Sequence, residues 1–181
     1  MPRWRRASTR GSPRRGVLPP APLTARADLV RIFWGDTDRV RDDYAALVPE
    51  FARAVGAEHP QTMAAVHNLA RATGESGDAA AARDQLAALL PLRERVLGRK
   101  HLATLDTRCE LARWTGEAGD AAAARDHYAA LMPIAQCVQR FEDAEILLAA
   151  RAHLAHWTGA AGDAAAARDH YAALLPICEG C

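Results

Sequence analysis

The chain has 181 residues and a net charge of +1, and half of its residues are apolar although only ten are aromatic. Such a composition suits one sizeable domain with a thin, close-packed core. No apolar run approaches the roughly 18 residues of a membrane span, and no apolar stretch follows the basic N-terminus as a secretion signal requires, so a soluble, cytoplasmic protein is expected.

In chain order, the first segment is set apart by charge. Seven arginines (Arg3, Arg5, Arg6, Arg10, Arg14, Arg15 and Arg26) precede the first acid at Asp28, whereas the other 155 residues carry 16 basic and 22 acidic side chains. Ser8, Thr9, Gly11, Ser12, Pro13, Gly16 and the run Pro19-Pro20-Ala21-Pro22 offer nothing to bury, and residues 1–26 are expected to form a disordered basic tail. An arm of this kind can reach toward nucleic acid or an acidic surface. A dispensable extension, or a start codon assigned too far upstream, explains it more simply.

Residues 27–58 read as an incomplete leading repeat. The stretch DDYAALVP from Asp42 to Pro49 lies 42 residues upstream of its counterpart in the next copy, but the glycine-rich turn that should precede it is missing. Its leading helix, around Asp28 to Trp34, is expected to be short or irregularly packed.

Three full units follow, over about 59–100, 101–140 and 141–181. Twenty residues from Trp114, WTGEAGDAAAARDHYAALMP, recur from Trp157 with two changes, and the segment from Ala72 matches them at fifteen positions. Asp84 and Asp126 are 42 residues apart, and Asp126 and Asp169 are 43 apart. A fixed period of this length means that each unit is one supersecondary element burying its apolar face on its neighbours.

Each unit reads as two helices. Met63, Val66, Leu69 and Ala70 recur at helical spacing, matched by Leu105, Leu111 and Ala112 and then by Leu148, Leu154 and Ala155. After the glycine break, Asp78, Asp120 and Asp163 each precede four alanines, where a carboxylate can cap a helix. The second helix should bury Ala82, Leu86 and Leu89, then Ala124, Tyr128 and Leu131, then Ala167, Tyr171 and Leu174. Pro91, Pro133 and Pro176 fall about thirteen residues into these helices and are expected to kink or divide them. Gly98 is a natural C-terminal stop.

The set Leu69-Ala70 or Leu111-Ala112, Gly77 or Gly119, Ala82 or Ala124, Tyr128 or Tyr171, with the VLGRKH connector at Val96 to His101, resembles the tetratricopeptide family. The match is to its 42-residue variety, found in kinesin light chains and bacterial repeat proteins, and runs from about Ala27 to Cys181. The resemblance implies an all-α fold, an α-solenoid of stacked antiparallel helix pairs forming a superhelix. It also implies that the first helices line a concave groove for a partner protein or peptide. With the apolar stripe inward, that groove presents His67, Arg71 and Glu75, then Asp106, Cys109, Arg113 and Glu117, then Ala152, His153 and His156.

Arg71, Arg113 and His156 are equivalent and would stack into a ladder of donors for partner carboxylates. A plain solvated face with the pairs Arg71–Glu75 and Arg113–Glu117 is the competing expectation. Arg108 and Arg151 occupy an inward position and are expected to pair with Asp84, Asp126 or Asp169, while Trp114 and Trp157 are expected to pack between units.

Catalysis has little support. His127 and His170 are repeat equivalents too far apart to share an ion, and Cys178 and Cys181 form a lone C-x-x-C that neither Cys109 nor Cys137 completes as a zinc site. No catalytic residue, metal or cofactor is expected. The sequence therefore reads as a non-enzymatic interaction scaffold. Two alternatives stand beside it: a self-associating segment of a larger assembly joined through an uncapped C-terminal face around Leu174, Leu175 and Ile177, and a nucleic-acid-associated protein acting through its arginine tail.

Overall fold

A computed structural model describes residues 22–32, 37–137 and 144–174. The elements are α1 (Leu23–Ile32), α2 (Thr37–Val55), α3 (Pro60–Glu75), α4 (Ala79–Val96), α5 (Leu102–Glu117), α6 (Ala121–Cys137), α7 (Ala144–Ala160) and α8 (Ala164–Ala172). Among the described residues every regular element is a helix. Each helix packs on the one before and the one after it, and the first helices of successive units also touch, α3 with α5 and α5 with α7. The result is the expected α-solenoid of antiparallel helix pairs.

Local chemistry sets the helix ends. Asp78, Asp120 and Asp163 each accept a hydrogen bond at 2.9 Å from the backbone amide three residues on, at Ala81, Ala123 and Ala166. Each of these starts an alanine run, which loses little side-chain entropy in a helix. The turn before each aspartate needs a left-handed residue, and Gly77, Gly119 and Gly162 supply it with φ of +103°, +102° and +100°.

A second capping device joins the units. Gly56 and Gly98 take positive φ, and three residues later His59 and His101 cap α3 and α5, each imidazole Nδ1 accepting from the backbone amide two residues on at 3.2 and 3.1 Å. The histidine of the VLGRKH connector is thus a helix cap.

Three expectations are corrected. Helices α2, α4 and α6 continue through Pro49, Pro91 and Pro133 without dividing. In α4 the proline is exposed while Leu89 and Arg93 on either side are buried, so packing of the opposite face holds the helix through the lost hydrogen bond. Tyr171 is 45% exposed, whereas its equivalent Tyr128 is 1% exposed, because α6 is packed between α5 and α7 while α8 packs, among the described residues, on α7 alone. Leu174 is buried, as the stripe of the second helix requires and contrary to the alternative that set it on an open face. Helix α1 is short, as expected, but it begins at Leu23, inside the stretch assigned to the tail. The Arg26 guanidinium there donates to Glu50 of α2 at 2.5 Å. Trp34, Pro176, Leu175, Ile177 and the C-x-x-C cysteines lie outside the described residues.

The units lock together through an aromatic ring on a bare backbone. A Cβ built on Gly74 of α3 would lie 2.6 Å from Cε2 of Trp114 in α5, and one on Gly116 of α5 would lie 2.5 Å from Cζ2 of Trp157 in α7. Both indoles are buried, joining clusters that hold Ala70, Ala82, Leu86 and Leu111 in one case and Leu105, Ala112, Ala124, Tyr128 and Leu131 in the other. The tryptophans therefore pack between units as expected. An exposed helical glycine gains about 1 kcal/mol on becoming alanine, but overpacking a rigid buried ring costs about 1–3 kcal/mol. Gly74→Ala and Gly116→Ala are therefore expected to lower stability, seen as a reduced urea midpoint with the slope of the transition retained.

Candidate partner-binding groove

Helices α3 and α5, and α5 and α7, touch, and Arg71, Arg113 and His156 hold equivalent repeat positions on them. Arg71 Nε is 3.8 Å from Glu75 Oε1, four residues on in the same helix. Arg113 differs from expectation: its Nη1 lies 3.7 Å from Glu110 Oε2, one turn back, instead of reaching forward to Glu117. The same guanidinium sits over the Trp114 ring at 4.3 Å, and the His156 ring meets Trp157 edge-on at 4.7 Å. Two of the three ladder residues thus rest on the indoles that seal the unit interfaces, which places them on stiff supports.

His67 and Asp106 behave differently from open groove residues. His67 is 6% exposed, and its Nε2 lies 3.0 Å from Asp106 Oδ2, tying α3 to α5. Burial opposes ionisation of Asp106, but the hydrogen bond from His67 and the attraction of His67, Arg93 and Arg71 outweigh it and hold the carboxyl below its ordinary range. The pair is an inter-unit brace as much as a groove surface.

His153 of α7 stacks on Tyr128 of α6 with ring centroids 5.4 Å apart and planes 18° from parallel. Partial burial, then Arg113 and His156, push its pKa below the ordinary histidine value, so it is neutral near pH 7. A cleft of about 180 Å³ between α5, α6 and α7 is lined by Asp106, Glu110, Arg113, Tyr128 and His153. Cys109 faces the same cleft, but burial, reinforced by Asp106 and Glu110, pushes its thiol up to about 12, so it is no nucleophile at neutral pH.

The inward Arg108 finds a partner other than those expected. Arg108 pairs with Glu94 of α4, because antiparallel packing sets the start of α5 beside the end of α4. Asp84, Asp126 and Asp169 instead hold the adjacent Arg83, Arg125 and Arg168 on the exposed side of their helices, at 2.8, 2.7 and 3.3 Å. Arg151 lines a cleft with Met132, Leu154, His170 and Leu174.

Sequence reasoning passed over Arg93. It is 3% exposed and donates through Nη1 to Ala103 O at 2.6 Å and Thr107 Oγ1 at 2.7 Å, and through Nη2 to Met63 O at 3.1 Å. It thereby joins α4 to both α3 and α5 directly behind the His67–Asp106 brace. The signal was present, since Leu86, Leu89 and Arg93 continue one stripe at steps of three and four. The neighbouring Arg95 and Arg99 disguised it as one of a run of surface charges.

The tetratricopeptide repeat family profile matches residues 61–136. Among solved structures, the chain is similar to the nearly identical TPR-like repeats of a proposed kinesin light chain from Podosopora anserina. That likeness has 24% identity and a TM-score of 0.75, and covers 86% of this chain and 74% of that one. It is also similar to BtubC (BKLC) from P. vanneervenii, with 18% identity, a TM-score of 0.77, and coverage of 88% of this chain and 65% of the other. No curated protein sequence matches.

Because the folded Asp106 carboxyl titrates below its unfolded value, its contribution is present above the unfolded carboxylate range and is lost as pH falls through the folded value. The stability difference between the natural chain and Asp106→Asn is therefore expected to be greatest near pH 6–7 and to shrink below about pH 4, as read by urea unfolding at stepped pH.

Proposed function

Since this chain carries tetratricopeptide repeats, folded as in the kinesin-light-chain type, we propose that it is a non-enzymatic scaffold that holds a segment of a partner protein along α3, α5 and α7. The observation that carries this reading is the equivalence of Arg71, Arg113 and His156 on three adjoining helices, with Arg113 and His156 seated on buried indoles. A row of cationic or protonatable donors at one-unit spacing suits carboxylates on an extended or helical segment, and preorganised donors lose less entropy on binding. His153 adds a neutral imidazole face beside the row. His67 and Asp106 contribute by fixing the separation of α3 and α5 more than by direct contact. The free, unreactive thiol of Cys109 fits a reducing compartment, and the cytoplasm is the setting we assign.

Charge reversal at Arg71 and Arg113 together tests the ladder. The double variant R71E/R113E is expected to keep its helical circular dichroism while losing, by about tenfold or more, the proteins that the natural chain captures from native lysate. Capture by the natural chain should itself weaken with added salt. An undiminished set of captured proteins would remove the ladder from the function.

A further inference from the structure

The two edges of the repeat stack carry opposite charge. The turns inside the units, at 75–78, 117–120 and 160–163, hold Glu75, Asp78, Glu117, Asp120 and Asp163 and no lysine or arginine. Arg41 reaches this edge at Ser76, but Asp38 and Asp42 each hold its guanidinium at 2.9 Å. The connectors between units run along the opposite edge. The two described ones, 53–59 and 95–101, hold Arg53, Arg95, Arg99 and Lys100 against the single acid Glu58. Glu94, just before the second connector, is shared between Arg99 and Arg108, so this edge stays net positive. It does so on a repeat region, residues 27–181, that has 22 acidic and 16 basic side chains.

The basic edge also holds most of the exposed apolar surface. Of the four large apolar side chains exposed among the described residues, Val55, Val96 and Leu102 lie on it, at 43%, 39% and 46%. They share one edge because Arg93, near the end of α4, donates to Met63 O at the start of α3 and to Ala103 O at the start of α5. Arg95 then ties the two connectors directly, its Nη2 lying 2.6 Å from Glu58 Oε1. Residues 53–58 are exposed without interruption, as are residues 99–102, so the connectors project from the stack.

We propose that this connector edge rests on an anionic lipid surface, with Arg53, Arg95, Arg99 and Lys100 among the headgroups and Val55, Val96 and Leu102 reaching the first acyl carbons. Charge complementarity specifies the occupant. A negative plane attracts the basic edge and repels the acidic one, and so turns the stack into a single orientation. The aliphatic side chains beside the cations add burial at the interface, and a fluid surface receives projecting connectors without a preformed pocket. The contact is peripheral, since among the described residues no helix is long and apolar enough to cross a membrane. Helices α3 and α5 both begin at this edge and would stand upright from the lipid, leaving the groove free. The proposal is independent of what the groove holds.

The full chain is mixed with unilamellar vesicles of phosphatidylcholine and phosphatidylserine, or of phosphatidylcholine alone, and bound protein is measured by co-sedimentation. Binding is expected only where phosphatidylserine is present, and is expected to fall with added salt. The double variant R99E/K100E should weaken it by about tenfold or more, and V55S/L102S by about threefold or more, with the circular dichroism of both unchanged. Hydrogen exchange separates the edge from the arginine tail, which is itself basic. Phosphatidylserine vesicles should slow amide exchange in the connectors, over residues 53–60 and 96–102, and leave the turns at 75–78 and 117–120 as they were.

No binding by the natural chain, or undiminished binding by either variant, overturns the proposal. Binding that leaves connector exchange unchanged also overturns it and assigns the lipid contact to the tail. Salt-sensitive oligomers seen by sedimentation without lipid, and made monomeric by R99E/K100E, would assign the basic edge to the acidic edge of a second copy and overturn it as well.

Discussion

The contact between an indole ring and a glycine backbone is the constraint on which the stack depends. With no Cβ on Gly74 or Gly116, the next unit's first helix comes close enough for its tryptophan to lie against the helix axis. The alanines at positions 82 and 124 then bring the second helix to the same close distance. Small residues on one side and one large flat residue on the other set the spacing between units. Each tryptophan buries a large apolar area from only two rotatable torsions, so the interface forms at low entropic cost.

Polar contacts refine this apolar scheme, and the most deeply buried of them gather at one unit boundary. Arg93, the His67–Asp106 pair and the Arg108–Glu94 pair all gather where α3, α4 and α5 meet. A buried guanidinium is tolerated there because three backbone and hydroxyl oxygens face it, two of them at the first turns of neighbouring helices. The boundary between the α5–α6 pair and α7 relies instead on rings, Tyr128 of α6 stacked with His153 of α7 and Trp157 of α7 set on Gly116 of α5. Near-identical repeat segments are thus joined by chemically different boundaries, and the groove above them inherits that difference: charged over α3 and α5, aromatic and imidazole-rich over α7.

Much of the fold was legible from residues whose roles are local. The aspartate before four alanines names a helix start because a carboxylate three residues from a free amide has one geometry available to it, and Asp78, Asp120 and Asp163 all adopt it. The equivalence of Trp114 and Trp157 likewise announced inter-unit packing. The prolines misled, because an intrinsic helix penalty was read without the packing that opposes it; Leu89 and Arg93 hold α4 in register past Pro91. The arginine pairs misled for a different reason. Charge alone does not say which helix end will lie beside which, and Asp84 was the plausible partner of Arg108 until the end of α4 proved to carry Glu94 to it.

Period, composition and capping residues alone were enough to establish an all-helical stack, because each of those signals acts within one turn or one repeat and needs no knowledge of distant neighbours. Contacts across units were decided only by the assembled chain. His67 turned from a groove donor into a buried brace, and Arg93 became the bolt between three helices. Those outcomes depend on which surfaces meet at ångström distance, and identical local sequences leave that undetermined until a neighbour is, or is not, in place.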